Sequence, residues 1–134
     1  MRRTLCALML TVASAALGQS PASTRAGVYS DAQAIRGRDV YLGNCKSCHS
    51  PESHTGAIFK SSWEGRPLAE LFAFISERMP KNEPGTLSPQ ENADVVAYLL
   101  QLNRMPPGAA DIPADSTAMR SIRIESPPTT RKDP

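Results

Sequence analysis

The chain has 134 residues, a length that suits one domain. Its charge is close to balanced, with 15 basic and 13 acidic side chains, so neither a nucleic-acid partner nor a long-range steering field is suggested. Aromatic residues are scarce at 5%, and no apolar run is long enough to cross a bilayer as a helix.

At the N-terminus, Arg2 and Arg3 precede an apolar run from Leu5 to Leu17 that contains Ala15 and Ala16 and leads to Gly18. This is the shape of a secretory signal peptide over residues 1–18, cut after Gly18. A retained anchor is the other reading. Export places the mature chain in the periplasm, with no membrane span of its own. Losing Arg2 and Arg3 with the leader brings the 15 basic residues level with the 13 acidic ones. Cys6 leaves too, so the remaining two of the 3 cysteines share one motif and no structural disulfide is needed.

Residues 19–29 are small and polar and read as a flexible lead-in. Ser30 opens the first helix, its hydroxyl capping while Gln33 reaches back. The helix runs through Ile35, Val40 and Tyr41 towards Cys45, with Gly37, Tyr41 and Cys45 on one face. A glycine inside a helix costs up to about 1 kcal/mol against alanine. Gly37 therefore marks either a tolerated flexible spot or a close approach by another helix, and the company of Tyr41 and Cys45 on its face favours the close approach.

Cys45-Lys46-Ser47-Cys48-His49 comes next. Two thiols one helical turn apart can each add to a vinyl group on one porphyrin edge, and the adjoining imidazole comes under the iron as the proximal ligand. A redox disulfide would want a βαβ setting, which no run of strands supplies. A zinc site would want four ligands, and only His54 and Cys6 remain. His49 decides for one covalent haem c on Cys45 and Cys48.

Ser50 to Gly56 is polar and turn-like, with His54 as a solvated loop histidine. Trp63 either packs on the haem edge with its N–H towards a propionate or belongs to the core. Pro67 suits the first position of the second helix. Leu68, Leu71, Phe72, Ile75 and Met79 make its apolar stripe, and Pro80 stops it. After a loop from Lys81 to Leu87, Ser88-Pro89-Gln90-Glu91 is a capping box for the last helix, with Val95, Tyr98, Leu99 and Leu102 inward. Residues 104–134 form a proline-rich tail without a core of its own, in which Met119 to Ile124 suggests a short extended segment.

Gly37 and Tyr41, the Cys45-to-His49 motif, Met79-Pro80 and Ala97-Tyr98-Leu99 stand in an order that resembles a class I cytochrome c, across residues 30–103. The resemblance implies an all-α fold, three main helices around one covalently attached haem c. It also implies a contact of Gly37 and Tyr41 with Tyr98, and His49 and Met79 as the axial ligands. Met105, after the last helix, is the competing sulfur. The Trp63-to-Asn103 stretch is similar to small cytochromes that accompany quinoprotein alcohol dehydrogenases or sulfite dehydrogenases. That implies an electron carrier rather than an enzyme, taking electrons from a periplasmic dehydrogenase and passing them to a respiratory oxidase or another cytochrome. Two other roles stay open: a five-coordinate haem protein with peroxidase-like or gas-binding chemistry, and a structural haem subunit of a dehydrogenase complex.

The chain departs from the family pattern twice. Ser50-Pro51-Glu52 and Thr55-Gly56 replace the usual Gly-Pro, leaving open which carbonyl orients His49. The short span from His49 to Met79 leaves room for a single helix, which exposes more of one haem edge.

Overall fold

A computed structural model describes residues 23–128; the leader expected over residues 1–18, with Cys6, lies outside them. The regular elements of the described chain are all helices, chief among them α1 (Asp31–Asn44), α2 (Gly56–Trp63), α3 (Leu68–Arg78), α4 (Pro89–Leu102) and the short α5 (Ser116–Met119). Pairing of extended segments is confined to isolated bridges.

The capping box of α4 forms as its sequence demands. The Glu91 amide donates to the Ser88 hydroxyl at 3.3 Å, and the Glu91 carboxylate accepts from the Ser88 amide at 2.8 Å. Every residue from Asn92 to Leu100 is buried. A helix enclosed on all sides lies at the centre of its fold. The inner face therefore includes Val96, Ala97 and Leu100 as well as Val95, Tyr98 and Leu99, while Leu102 is only partly buried.

α1 packs on α4 through a face of small and polar residues. Gln33, Ala34, Gly37 and Tyr41 are buried, whereas Ile35 is 51% exposed. The Ser30 hydroxyl accepts from the Gln33 amide at 3.0 Å. Gln33 does not return the bond; its amide group pairs instead with the N–H and carbonyl of Ile112, at 2.7 and 3.0 Å. Gly37 meets the main chain of Asp94 rather than Tyr98, and Tyr41 makes the contact with Tyr98 at a ring separation of 5.4 Å.

The span from His49 to Met79 holds more than the one helix expected. A 3-10 turn (Pro51–His54) and α2 precede α3. Gly65, at φ 77°, turns the chain sharply between the two helices. In α3 the stripe of Leu68, Leu71, Phe72 and Ile75 is buried as expected, with Pro67 as its N-cap rather than its first residue. Met79 ends the helix in extended conformation.

The lead-in and the tail differ most from expectation. Thr24, Val28 and Tyr29 are buried, and the Tyr29 hydroxyl donates to the Met105 carbonyl at 2.6 Å. In the tail Met105, Ile112, Met119, Ile122 and Ile124 are all buried. Full burial of each such side chain is worth about 1.5–3 kcal/mol, so together they rival the net stability of a small domain. The folded unit thus runs past Asn103 to Ser126. The prolines do not prevent this, because the tail shares the core of the helices instead of building one. Met119 closes α5, so only the end of the stretch from Met119 to Ile124 is extended. No described helix is long and apolar enough to cross a membrane.

Candidate cofactor cleft

α1 delivers the two-cysteine motif. Past its end the chain keeps turning, with the amides of Cys48 and His49 both donating to the Cys45 carbonyl, at 3.1 and 2.9 Å. The motif is thereby held to about one helical turn, and both cysteines line a cleft. Both thiols are free, Cys45 half-buried and Cys48 exposed. Tyr41 braces the motif from below, its hydroxyl donating to the His49 carbonyl at 3.0 Å. Burial above all, with the neighbouring Cys45 second, pushes the Tyr41 pKa up to about 12, so it stays a donor.

Asn103, the C-cap of α4, fixes the turn that follows. Its amide donates to the His54 carbonyl at 2.8 Å, and its side-chain oxygen accepts from the Gly56 N–H at 3.1 Å. This clamp explains a correction: His54 is not a solvated loop histidine. It lines the cleft half-buried, with its ring 5.1 Å from that of His49 and edge-on to Tyr41. Burial first, and the nearby His49 second, lower its pKa. The short polar segment gave no sign of the clamp, because its partner is distant in sequence.

The opposite wall is α2 and α3. Phe59, Trp63, Leu71, Phe74 and Ile75 line it, and Val95 and Leu99 of α4 form the floor. Trp63 stands between the two roles expected of it, on the cleft wall and only partly buried. It packs edge-to-face on Phe74 at 5.6 Å, with the Arg66 guanidinium 4.8 Å above its ring. Arg66 is held there by Glu70 at 2.6 Å and by the Ser62 carbonyl at 3.0 Å.

Met79 joins the cleft from the end of α3, so Cys45, Cys48, His49 and Met79 all line one space. Met105 does not line it; it is 2% exposed, deep in the core beside Tyr29. The cleft has a volume of about 1340 Å³. Pockets for small organic ligands run to about 300–1,000 Å³, so this one suits a larger cofactor. Burial pushes the Cys45 thiol up, the wrong direction for a reactive redox cysteine. Among the described residues, no three His, Cys, Asp or Glu side chains are grouped to hold a bare metal ion. Two thiols, an imidazole and a thioether around one apolar cleft instead fit haem c.

A family model described as "Cytochrome C oxidase, cbb3-type, subunit III" matches residues 32–99, half of the chain, from α1 into the last turns of α4. The chain belongs to this family. It is a class I c-type cytochrome domain, an electron-transfer protein rather than a catalytic enzyme, and the family's cofactor is one covalently bound haem c. No match was found among curated proteins or solved structures. The matched part of the cytochrome contains the whole cleft and stops short of the tail that packs behind α3.

Proposed function

We propose that this cytochrome is a periplasmic one-electron carrier, with thioether links at Cys45 and Cys48 and axial ligation by His49 and Met79. One observation carries the ligand assignment: Met79 lines the same cleft as His49, while Met105 is enclosed elsewhere. Haem c, when bound, supplies a one-electron ferric/ferrous couple. The chain does the rest. His49 offers an imidazole on a backbone braced by Tyr41. Met79 offers a neutral thioether, which favours ferrous iron and raises the potential. Phe59, Leu71, Ile75, Val95 and Leu99 keep water from the cleft and lower the local dielectric.

The leader-like N-terminus supports export. Similarity to cytochromes that accompany dehydrogenases supports a periplasmic dehydrogenase, a quinoprotein among the candidates, as the donor. The family description names an oxidase subunit, which supports a respiratory oxidase or a cytochrome leading to it as the acceptor. The test is a potentiometric titration of the purified holoprotein with optical detection. A single one-electron transition, with a ferrous form that does not bind carbon monoxide, is the expected result. Rapid carbon monoxide binding would mean an open iron and a gas-binding or peroxidase-like role instead.

A further inference from the structure

Three segments distant in sequence meet where α2 turns into α3. The Thr24 amide donates to the Arg123 carbonyl at 2.9 Å, and the Leu68 amide to the Ile122 carbonyl at 2.8 Å. Gly65 and Arg66 exchange bonds with Ile124, the Gly65 amide to its carbonyl at 2.7 Å and its amide to the Arg66 carbonyl at 2.9 Å. Beyond these, the Ser126 amide and hydroxyl both donate to the Glu64 carboxylate, at 3.0 and 2.6 Å. Ile122 and Ile124 are 5% and 0% exposed.

The link held in this way is part of the cleft's frame. Trp63 stands immediately before it, and α3 starts from it and ends at Met79. An 11-residue helix is a stiff rod about 16 Å long, so a tilt at Leu68 moves Met79. The strap lies outside the family match, which ends at residue 99.

We propose that the strap Ile122–Ser126 is a positioning element of the haem site, holding the α2–α3 link so that Met79 stays closed over the iron. The proposal rests on the reading of Met79 as a ligand. Releasing the strap opens that side of the iron to small exogenous ligands without substituting any residue that lines the cleft.

The experiment measures cyanide association to the ferric holoprotein, together with the near-infrared sulfur-to-iron band, in four variants. Ile124→Ala loosens the strap and should speed cyanide binding about tenfold, as the open fraction rises. Glu64→Ala removes the anchor of Ser126 from an exposed position and should give a smaller rise. Ile112→Ala, a buried tail residue on the α1 side, should lose stability yet keep the wild-type rate. Met79→Ala should lose the band and bind cyanide fastest.

The proposal is overturned if Ile124→Ala binds no faster than Ile112→Ala and Glu64→Ala matches the wild type. Should Ile124→Ala not accumulate with haem, Glu64→Ala decides alone, a wild-type rate overturning the proposal. If Met79→Ala keeps the band, the ligand assignment fails and the proposal falls with it. If Met79→Ala loses the band while both strap variants behave as wild type, only the strap proposal fails.

Discussion

Gly37 of α1 and Asp94 of α4 meet main chain to main chain: a methyl group on Gly37 would stand 1.8 Å from the Asp94 carbonyl oxygen. No rotamer can relieve that clash, because the obstacle is backbone. Gly37→Ala should therefore cost towards the upper end of the about 1–3 kcal/mol seen for overpacking, and Gly37→Leu at least as much. The denaturant midpoint of the holoprotein reads the effect. A midpoint unchanged from wild type would mean that the two helices do not cross there.

Tyr41 ties this crossing to the cofactor cleft, with one face on Tyr98 and its hydroxyl on the His49 carbonyl. Tyr41→Phe keeps the ring and removes only the hydrogen bond. The expected loss is about 1 kcal/mol, measured by urea unfolding. A loss near zero would show that the bond does not form in solution.

Much of this was legible in the sequence, for physical reasons that differ by element. Ser88-Pro89-Gln90-Glu91 announced α4 because a capping box is local and reciprocal. The α3 stripe announced its buried face because apolar periodicity reports burial directly. α1 was placed by Ser30, and its inner face was legible in Gly37 and Tyr41. Gln33 and Ala34 complete that face and Ile35 lies in solvent, since the close crossing at Gly37 selects small residues. Missed altogether were α2, the Asn103 clamp on His54 and the packed tail. In each, the deciding partner lies far along the chain. In the tail, the alternation up to Ile124 hinted at an extended segment, but Ile112, Met119, Ile122 and Ile124 share no single period that would betray burial against the helices, because turns space them unevenly.

The cysteines give a covalent test. Cys45→Ala should leave one thioether bond and Cys48→Ala the other. The double variant should carry no haem through denaturing electrophoresis, read by peroxidase staining of the gel. Haem that stays with the denatured double variant would place the attachment elsewhere.

Asp111 supplies a pH dependence. The Ser30 hydroxyl first, and Arg36 at 2.6 Å second, hold its carboxyl below the usual range. A depressed folded pKa means that the contribution is complete above the unfolded value of about 3.9 and is lost as pH falls through the folded one. The pair is half exposed, so the effect is at most about 1 kcal/mol. Asp111→Asn should melt earlier than wild type at pH 7, and the gap should narrow towards pH 2.5. Parallel melting curves across that range would contradict the account.

The most direct measurement is the ferric near-infrared spectrum of the holoprotein beside two single variants. Methionine ligation gives a weak sulfur-to-iron band. The account predicts that Met79→Ala loses this band, drops in reduction potential and binds cyanide quickly, while Met105→Ala keeps the band, because Met105 is enclosed away from the cleft. A band that survives Met79→Ala and vanishes in Met105→Ala would contradict it, and α3 would then be a wall of the cleft and nothing more.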